Sequence, residues 1–436
     1  MMATTLAADR AESVFEDFKP AYDDAQAAAE AYRCLYCLDA PCIDACPTGI
    51  NIPEFIRKIG TGNVRGAAKT IFDSNILGMS CARVCPVETL CVGDCVYNRM
   101  AHPPIQIGRL QRYATDRAFA EGWRYYEAGP DTGKSVALVG GGPASLACAH
   151  RLRRYGHACT IYEKRDILGG LNVYGVAPYK IKADRAHEEV EWLLAIGGID
   201  VKTGVEVGAE VTFEDLEAEH DAVFLGMGLG PDKHLGIEGE ALDNVYGAVD
   251  FIEAMKLGGD GFGQVAKVAV IGGGNTAIDC VRECVGLGFG EVTMVYRGTE
   301  ARMSGYAHEW RAAKVDGARA AWQTQPVAYV GEGGKVTGVR CVLLDAAKRP
   351  IEGTDHVIEA DLVLVAVGQS KLLGDLEGLA GVRMDGRRVV TDEVGFTGRV
   401  GVYAGGDLAN GAKEVVNAAA EGRDAAEGIH AYLMGS

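Results

Sequence analysis

Eight of the chain's 13 cysteines (Cys34, Cys37, Cys42, Cys46, Cys81, Cys85, Cys91 and Cys95) lie within one short stretch, and their spacing suits iron–sulfur ligation. The first four read Cys34-x2-Cys37-x4-Cys42-x3-Cys46-Pro47, close to the ferredoxin run whose fourth cysteine, followed by proline, ligates the other cluster. Cys81-x3-Cys85-Pro86 and Cys91-x3-Cys95 supply further thiolates. Two [4Fe–4S] clusters take eight ligands, and eight thiols are available. Zinc is the competing reading, but zinc knuckles favour paired Cys-x2-Cys spacings, which the second group lacks. In a reducing compartment such a field is a metal site rather than a disulfide framework.

Two glycine loops supply the second chemistry. Val136-Ala-Leu-Val-Gly140-Gly-Gly142-Pro-Ala-Ser145 places glycines where a strand turns into a helix and the backbone must approach a pyrophosphate closely. Alone it fits any tight strand-to-helix turn. Its second strand, however, ends in Glu163-Lys164, a carboxylate where a ribose hydroxyl would sit. The second loop, Val268-Ala-Val-Ile-Gly272-Gly-Gly274-Asn275-Thr276-Ala277, repeats the pattern, but its second strand ends in Arg297. An arginine there pairs a 2′-phosphate or stacks on adenine, unless it is merely a solvated strand-end charge. The two sites therefore differ as an FAD site and a nicotinamide-nucleotide site should. Val402-Tyr-Ala-Gly405-Gly406-Asp407, followed by a helix from Glu414, can hold a ribityl hydroxyl and aim a helix dipole at a flavin, or can simply be the last strand and helix of the sheet. Cys280 and Cys284 are four apart on the helix after the second loop and are expected to pack as small hydrophobes, so thiol–disulfide chemistry of the thioredoxin reductase kind is not expected. His102 reads as an exposed loop residue, and His150 and His157 as structural.

These groups need about three domains to position them, and 436 residues provide that length. From Asp24 to Trp123 the pattern is short and helical; Glu127 to Lys134 reads as a linker; then short apolar runs alternate with amphipathic helices, as buried parallel strands do. The 59 glycines, well above the usual share of about 7%, fit many tight turns. A formal charge of −17 repels nucleic acid and anionic membranes, and neither a membrane-length apolar run nor a secretory signal is visible, so a cytoplasmic location is expected.

Taken in order, the Cys34–Cys46 run, NILGMSCARVCPVETLCVGDC (Asn75 to Cys95), GGGPASLACA and GGGNTAIDC resemble the N-terminal half of dihydropyrimidine dehydrogenase, and more closely the separate NAD-dependent subunit of the bacterial enzyme. The likeness runs from Cys34 to Leu433 and extends more loosely to the glutamate synthase small subunit. It implies an α-helical bis-[4Fe–4S] domain at 1–127, an FAD-binding domain at 133–230 and 368–436, and an NAD(P)-binding domain at 231–367 inserted in it, the last two Rossmann-like α/β units. It implies one cluster on Cys34, Cys37, Cys42 and Cys95, and the other on Cys46, Cys85, Cys91 and Gln111, which leaves Cys81 over. Its FAD contacts fall on Gly140, Gly142, Ala144, Ser145, Glu163, Lys164, Leu171, Lys180, Gly406, Asp407 and Val415. Its nucleotide contacts fall on Gly273, Gly274, Asn275, Thr276, Arg297, Ala366 and Gly368. Where NADP-using relatives carry further basic residues this chain has Gly298 and Ser304, so NADH is favoured over NADPH. No catalytic barrel follows, so the expected role is electron input from NADH through FAD and the clusters to an FMN/iron–sulfur partner that reduces uracil or thymine. The alternatives are a glutamate synthase small subunit, an NAD(P)H:ferredoxin oxidoreductase, or a zinc-stabilised nucleotide-binding scaffold.

Overall fold

The computed structural model describes residues 6–258, 262–372, 376, 379–386 and 388–435; the outermost ends of the domain ranges above (1–5 and 436), 259–261 and parts of 373–387 lie outside the described residues. The N-terminal part is a stack of short helices. Helix Asp24–Tyr32 begins at Asp23, whose side chain accepts from Gln26 N while Gln26 reciprocates. The sequence from Ile52 to Phe72 reads as one helical pattern, but it forms two helices, Ile52–Gly60 and Val64–Ser74. They are split at Gly62, whose φ of +79° suits glycine, and Asn63 then caps the second through Gly66 N. Phe55, Ile56, Ile71 and Phe72 close against Leu110, Ala114 and Ala118 of helix Ile107–Ala120, forming a core that brings the cysteine loops together at its edge.

The remainder is α/β. Its strands are β1 (Ser135–Val139), β2 (Ala158–Glu163), β3 (Ile199–Thr203), β4 (Ala222–Leu225), β5 (Val245–Gly247), β6 (Lys267–Ile271), β7 (Glu291–Tyr296), β8 (Arg319–Trp322), β9 (Thr324–Glu332), β10 (Lys335–Leu343), β11 (His356–Glu359), β12 (Leu362–Val365) and β13 (Val402–Ala404). One parallel sheet runs β13-β4-β1-β2-β3 and a second runs β5-β12-β6-β7-β8. Strands β4 and β12 are buried along their whole length, which is why they read as unbroken apolar runs. Because β13 returns to the first sheet after the second is complete, the second unit is inserted in the first. The antiparallel β11-β10-β9 sheet, absent from the sequence reading, backs the second unit through Tyr329, Val336 and Val339.

The units are locked together. The segment Ala177 to Lys180, from the first unit, enters the core of the second, where Ala177 and Tyr179 join Phe251, Ile278 and Trp310.

Candidate functional site

An apolar cavity at the surface of the helical part is lined by Cys34, Cys37, Cys42 and Cys95, with Pro41, Ile52, Ile56 and Ile105 as its walls. Burial, then the neighbouring thiols Cys34, Cys95 and Cys37, push the Cys42 thiol up to about 12. Four thiols crowded in an apolar site favour the protonated state until a cation arrives to hold the thiolates, which is the condition an iron cluster meets. Cys34, Cys37 and Cys42 are half-buried, so this cavity lies near solvent.

The second group gathers around the buried Cys81 and Cys85, with Cys46 and Cys91 half-buried. The Cys91 thiol is raised by burial and by Cys85 and Cys46, against the lowering effect of Lys19, and it also senses Cys42 of the first group. Cys85 is raised by a hydrogen bond with Cys81, then by burial, and it senses Lys19 and Glu414. Cys81, on helix Gly78–Val84, therefore touches this group directly. Gln111 is buried on helix Ile107–Ala120, and its Nε2 donates to Gly78 O at 2.8 Å, which fixes the carboxamide and leaves Oε1 as the end that could meet a metal.

At the first glycine loop, Gly140 has φ +89° and a Cβ there would lie 2.7 Å from Gly226 O, so only glycine fits. Gly142 starts helix Pro143–Tyr155 with no side-chain cap, leaving its first amides for a ligand. Ser145 Oγ is buried with no hydrogen-bond partner among the described residues, an orphan beside a pyrophosphate cradle. Glu163 Oε2 accepts from Gly141 N at 2.7 Å and Oε1 from Arg165 N at 2.8 Å, so the carboxylate is fixed at the lip of the loop. Ala144 is a packing residue: a Cβ on Gly422 would lie 2.0 Å from Ala144 O, and one on Gly406 3.1 Å from its Cβ, so helix Val415–Met434 crosses very closely. Asp407 is raised to about 6 by burial, then by Glu421 and Glu414. Glu421, which no motif marks, accepts from Gly406 N at 2.7 Å and orders that loop. Leu171 opens the short helix after Gly169 and Gly170, beside the loop, because Gly169 N donates to Gly141 O at 2.8 Å. These features fit FAD.

Two residues expected at FAD are near carboxylates. Lys180 pairs with Asp279 at 2.8 Å and Glu309 at 2.9 Å in the second unit, because its segment is carried into that core. Lys164 is half exposed and lies 3.6 Å from Glu206.

The second loop is more open. Gly272 has φ +145°, and a Cβ there would lie 2.3 Å from Ala366 O, which sets Ala366 and Gly368 at the end of β12 beside the loop. Gly274 leads into helix Asn275–Gly286 uncapped. Thr276 and Arg297 are exposed. The Tyr296 ring is wedged between the loop and the following turn, since a Cβ on Gly273 would lie 2.5 Å from it and one on Gly298 2.6 Å. Ser304 Oγ donates to Gly273 O at 3.3 Å, folding that turn over the loop. Cys280 and Cys284 are fully buried in the core, and His150 and His157 are structural, His157 Nε2 lying 2.8 Å from His430 Nδ1.

The three units meet at Tyr306. Its N donates to Asn275 Oδ1 at 2.8 Å in the second unit, and its hydroxyl donates to Glu414 Oε1 at 2.7 Å, the residue capping helix Val415–Met434. Next to it, His308 Nε2 lies 3.4 Å from Glu88 of the cysteine loops.

A family model described as dihydropyrimidine dehydrogenase domain II, 4Fe–4S cluster, matches residues 10–123, and one described as pyridine nucleotide-disulphide oxidoreductase matches residues 134–422. The chain belongs to the pyridine nucleotide-disulphide oxidoreductase family. Like the members with an iron–sulfur domain ahead of the nucleotide-binding units, it is a [4Fe–4S], FAD and NAD(P)H oxidoreductase. The Escherichia coli K12 glutamate synthase [NADPH] small chain is 35% identical over 446 residues, 96% of this chain and 93% of that one. The NAD-dependent dihydropyrimidine dehydrogenase subunit PreT of the same organism is 34% identical over 425 residues, 98% of each. The fold of residues beyond the helical part resembles T. acidophilum thioredoxin reductase (TM-score 0.56, 23% identity, 69% of this chain and 99% of that one). Among the described residues no helix is long and apolar enough to cross a membrane.

Proposed function

We propose that this chain is the electron-input subunit of an NAD-dependent dihydropyrimidine dehydrogenase, oxidising NADH at FAD and passing electrons through two [4Fe–4S] clusters to an FMN/iron–sulfur partner in the cytoplasm. The observation that carries the electron path is the junction at Tyr306 and His308, where Tyr306 joins the nucleotide loop to the flavin helix and His308 meets Glu88 of the Cys85–Cys91 loop. Gly140, Gly142 and Ser145 cradle the FAD pyrophosphate, Glu163 takes its ribose, and Gly406, Asp407 and Val415 bound the flavin end. FAD held by these residues would supply the conversion of a two-electron hydride into single electrons. Gly273, Gly274, Asn275 and Thr276 offer amides to the nicotinamide nucleotide, and Arg297 covers its adenosine side. One cluster is held by Cys46, Cys85, Cys91 and Gln111, next to Glu414, and the other by Cys34, Cys37, Cys42 and Cys95, next to solvent. Clusters held by these residues would supply one-electron carriers between the flavin and the partner.

Choosing the pyrimidine enzyme rests on the end-to-end match with PreT and on Gly298, where a larger side chain would displace Tyr296. The match to the glutamate synthase small chain favours a second reading, with a glutamate-forming partner. Purified chain should turn over NADH with uracil only when mixed with an FMN/iron–sulfur subunit. Glutamate formation with a large synthase subunit, and none of dihydrouracil, would choose the second reading. A colourless zinc protein would sink both.

A further inference from the structure

Lys19 belongs to no motif, yet it is buried. Its Nζ donates to Cys85 O at 2.6 Å and sits 5.0 Å from the Phe18 ring centre. Other buried lysines show what such an ammonium normally requires. Lys256 donates to three carbonyls, those of Asn172, Val176 and Ile181, and Lys180 has two carboxylates. Lys19 has one carbonyl and, among the described residues, no ion-paired carboxylate; burial works against its charge, the Cys85 thiol, the Glu88 carboxylate and the Cys91 thiol favour it in that order, and Lys180 opposes it. A buried ammonium with no ion-paired anion is costly, and Glu88 acts on it without pairing, so a further counter-charge on the side of Cys85, whose carbonyl it touches, would stabilise it.

A thiolate-ligated cluster supplies that charge, since it is anionic even when oxidised. We propose that Lys19 is the buried counter-charge of the cluster held by Cys46, Cys85 and Cys91, and that it raises that cluster's potential above that of the outer cluster. This rests on reading the thiols as iron–sulfur sites. The step concerned adds one electron to the cluster, drawn from the hydride of NADH, with no bond made or broken at Lys19. A fixed positive charge stabilises the reduced form more, because that form carries one more negative charge. At the outer cavity Arg57 acts on Cys34 from an exposed position where water screens it.

The test is an EPR-monitored redox titration of the holoprotein and of Lys19→Arg, Lys19→Gln and Lys19→Met. Both neutral variants should lower the more positive midpoint, weakening electron uptake roughly tenfold, about 59 mV for a one-electron centre, with the other midpoint unmoved. Lys19→Arg should keep the wild-type value. Loss of one cluster in the neutral variants but not in Lys19→Arg would equally support the proposal, because charge rather than shape would then be required. Unmoved midpoints in cluster-replete neutral variants, or the same loss or lowering in Lys19→Arg, would overturn it. Wild-type protein with no [4Fe–4S] Mössbauer signal would overturn the function reading and this proposal together, whereas normal clusters with unmoved midpoints would overturn this proposal alone.

Discussion

The two glycine loops are built alike and finished differently. The first ends on Glu163, buried and held by two backbone amides, beneath a helix that crosses at Gly422 and Ala144 with no room for a methyl group. The second ends on Arg297, exposed, beneath a turn held by Tyr296 and Ser304. A closed site suits a cofactor that stays, and an open one suits a nucleotide that must leave after each turnover. The thiol groups repeat the lesson: the first four line an apolar surface cavity, while the second group has Lys19 and Glu414 beside it. Duplicated geometry, varied in charge and burial, is what the proposed function requires of one retained and one exchangeable nucleotide.

The largest expected effect breaks the closed loop. Glu163→Ala removes a carboxylate that orders the loop and would hold the ribose; at about 1.5–3 kcal/mol per charged hydrogen bond, FAD retention after gel filtration should fall more than tenfold. Asp407→Ala should fall less, since Asp407 sits among carboxylates that already oppose its ionisation. Full flavin in both would place FAD elsewhere.

Next come the thiol groups, where the structure sharpens a choice that ligand counting leaves open. Gln111→Ala should make one cluster labile while Cys81→Ser keeps two, with iron content and EPR as the readout. Since Cys81 touches Cys85, the opposite result would make the inner site all-cysteine.

Nucleotide choice is a smaller effect. NADH should reduce the flavin about tenfold faster than NADPH, equivalent to one missing charge-assisted contact of about 1.4 kcal/mol. Gly298→Arg should narrow that ratio only by moving Tyr296, and stopped-flow bleaching with both nucleotides decides it.

The smallest effect concerns the helix carrying Cys81. Glu189 accepts from Met79 N at 2.8 Å and Ser80 N at 3.1 Å at that helix's start, and burial raises it to about 7 from an ordinary 4.5. The folded state thus favours the protonated acid, so the stability it contributes is present in full below about pH 4.5 and is lost as pH rises through about 7. Glu189→Gln should flatten the melting temperature across that window. An unchanged slope would show that Glu189 does not titrate there.

Much of this was legible in the sequence, because the strands feeding both loops are buried on both faces and the cysteines are spaced by loop geometry. The β9–β11 sheet was not, since its strands alternate exposed and buried residues and carry no glycine loop. Lys180 reads by position as a flavin contact, yet its segment enters the neighbouring core, a tertiary placement that local sequence does not encode. Lys19, Glu421 and Tyr306 were invisible for the same reason: each matters for what it meets across a long sequence separation.

The central claim is that one chain carries a hydride acceptor wired to two clusters. Anaerobic titration of the holoprotein with NADH, followed by visible absorbance, EPR and iron analysis, tests it directly. The account expects one FAD and about eight irons per chain, flavin bleaching by NADH, and then the signals of two reduced clusters. Bleaching of the flavin with no cluster reduced by any excess of NADH or dithionite would contradict it.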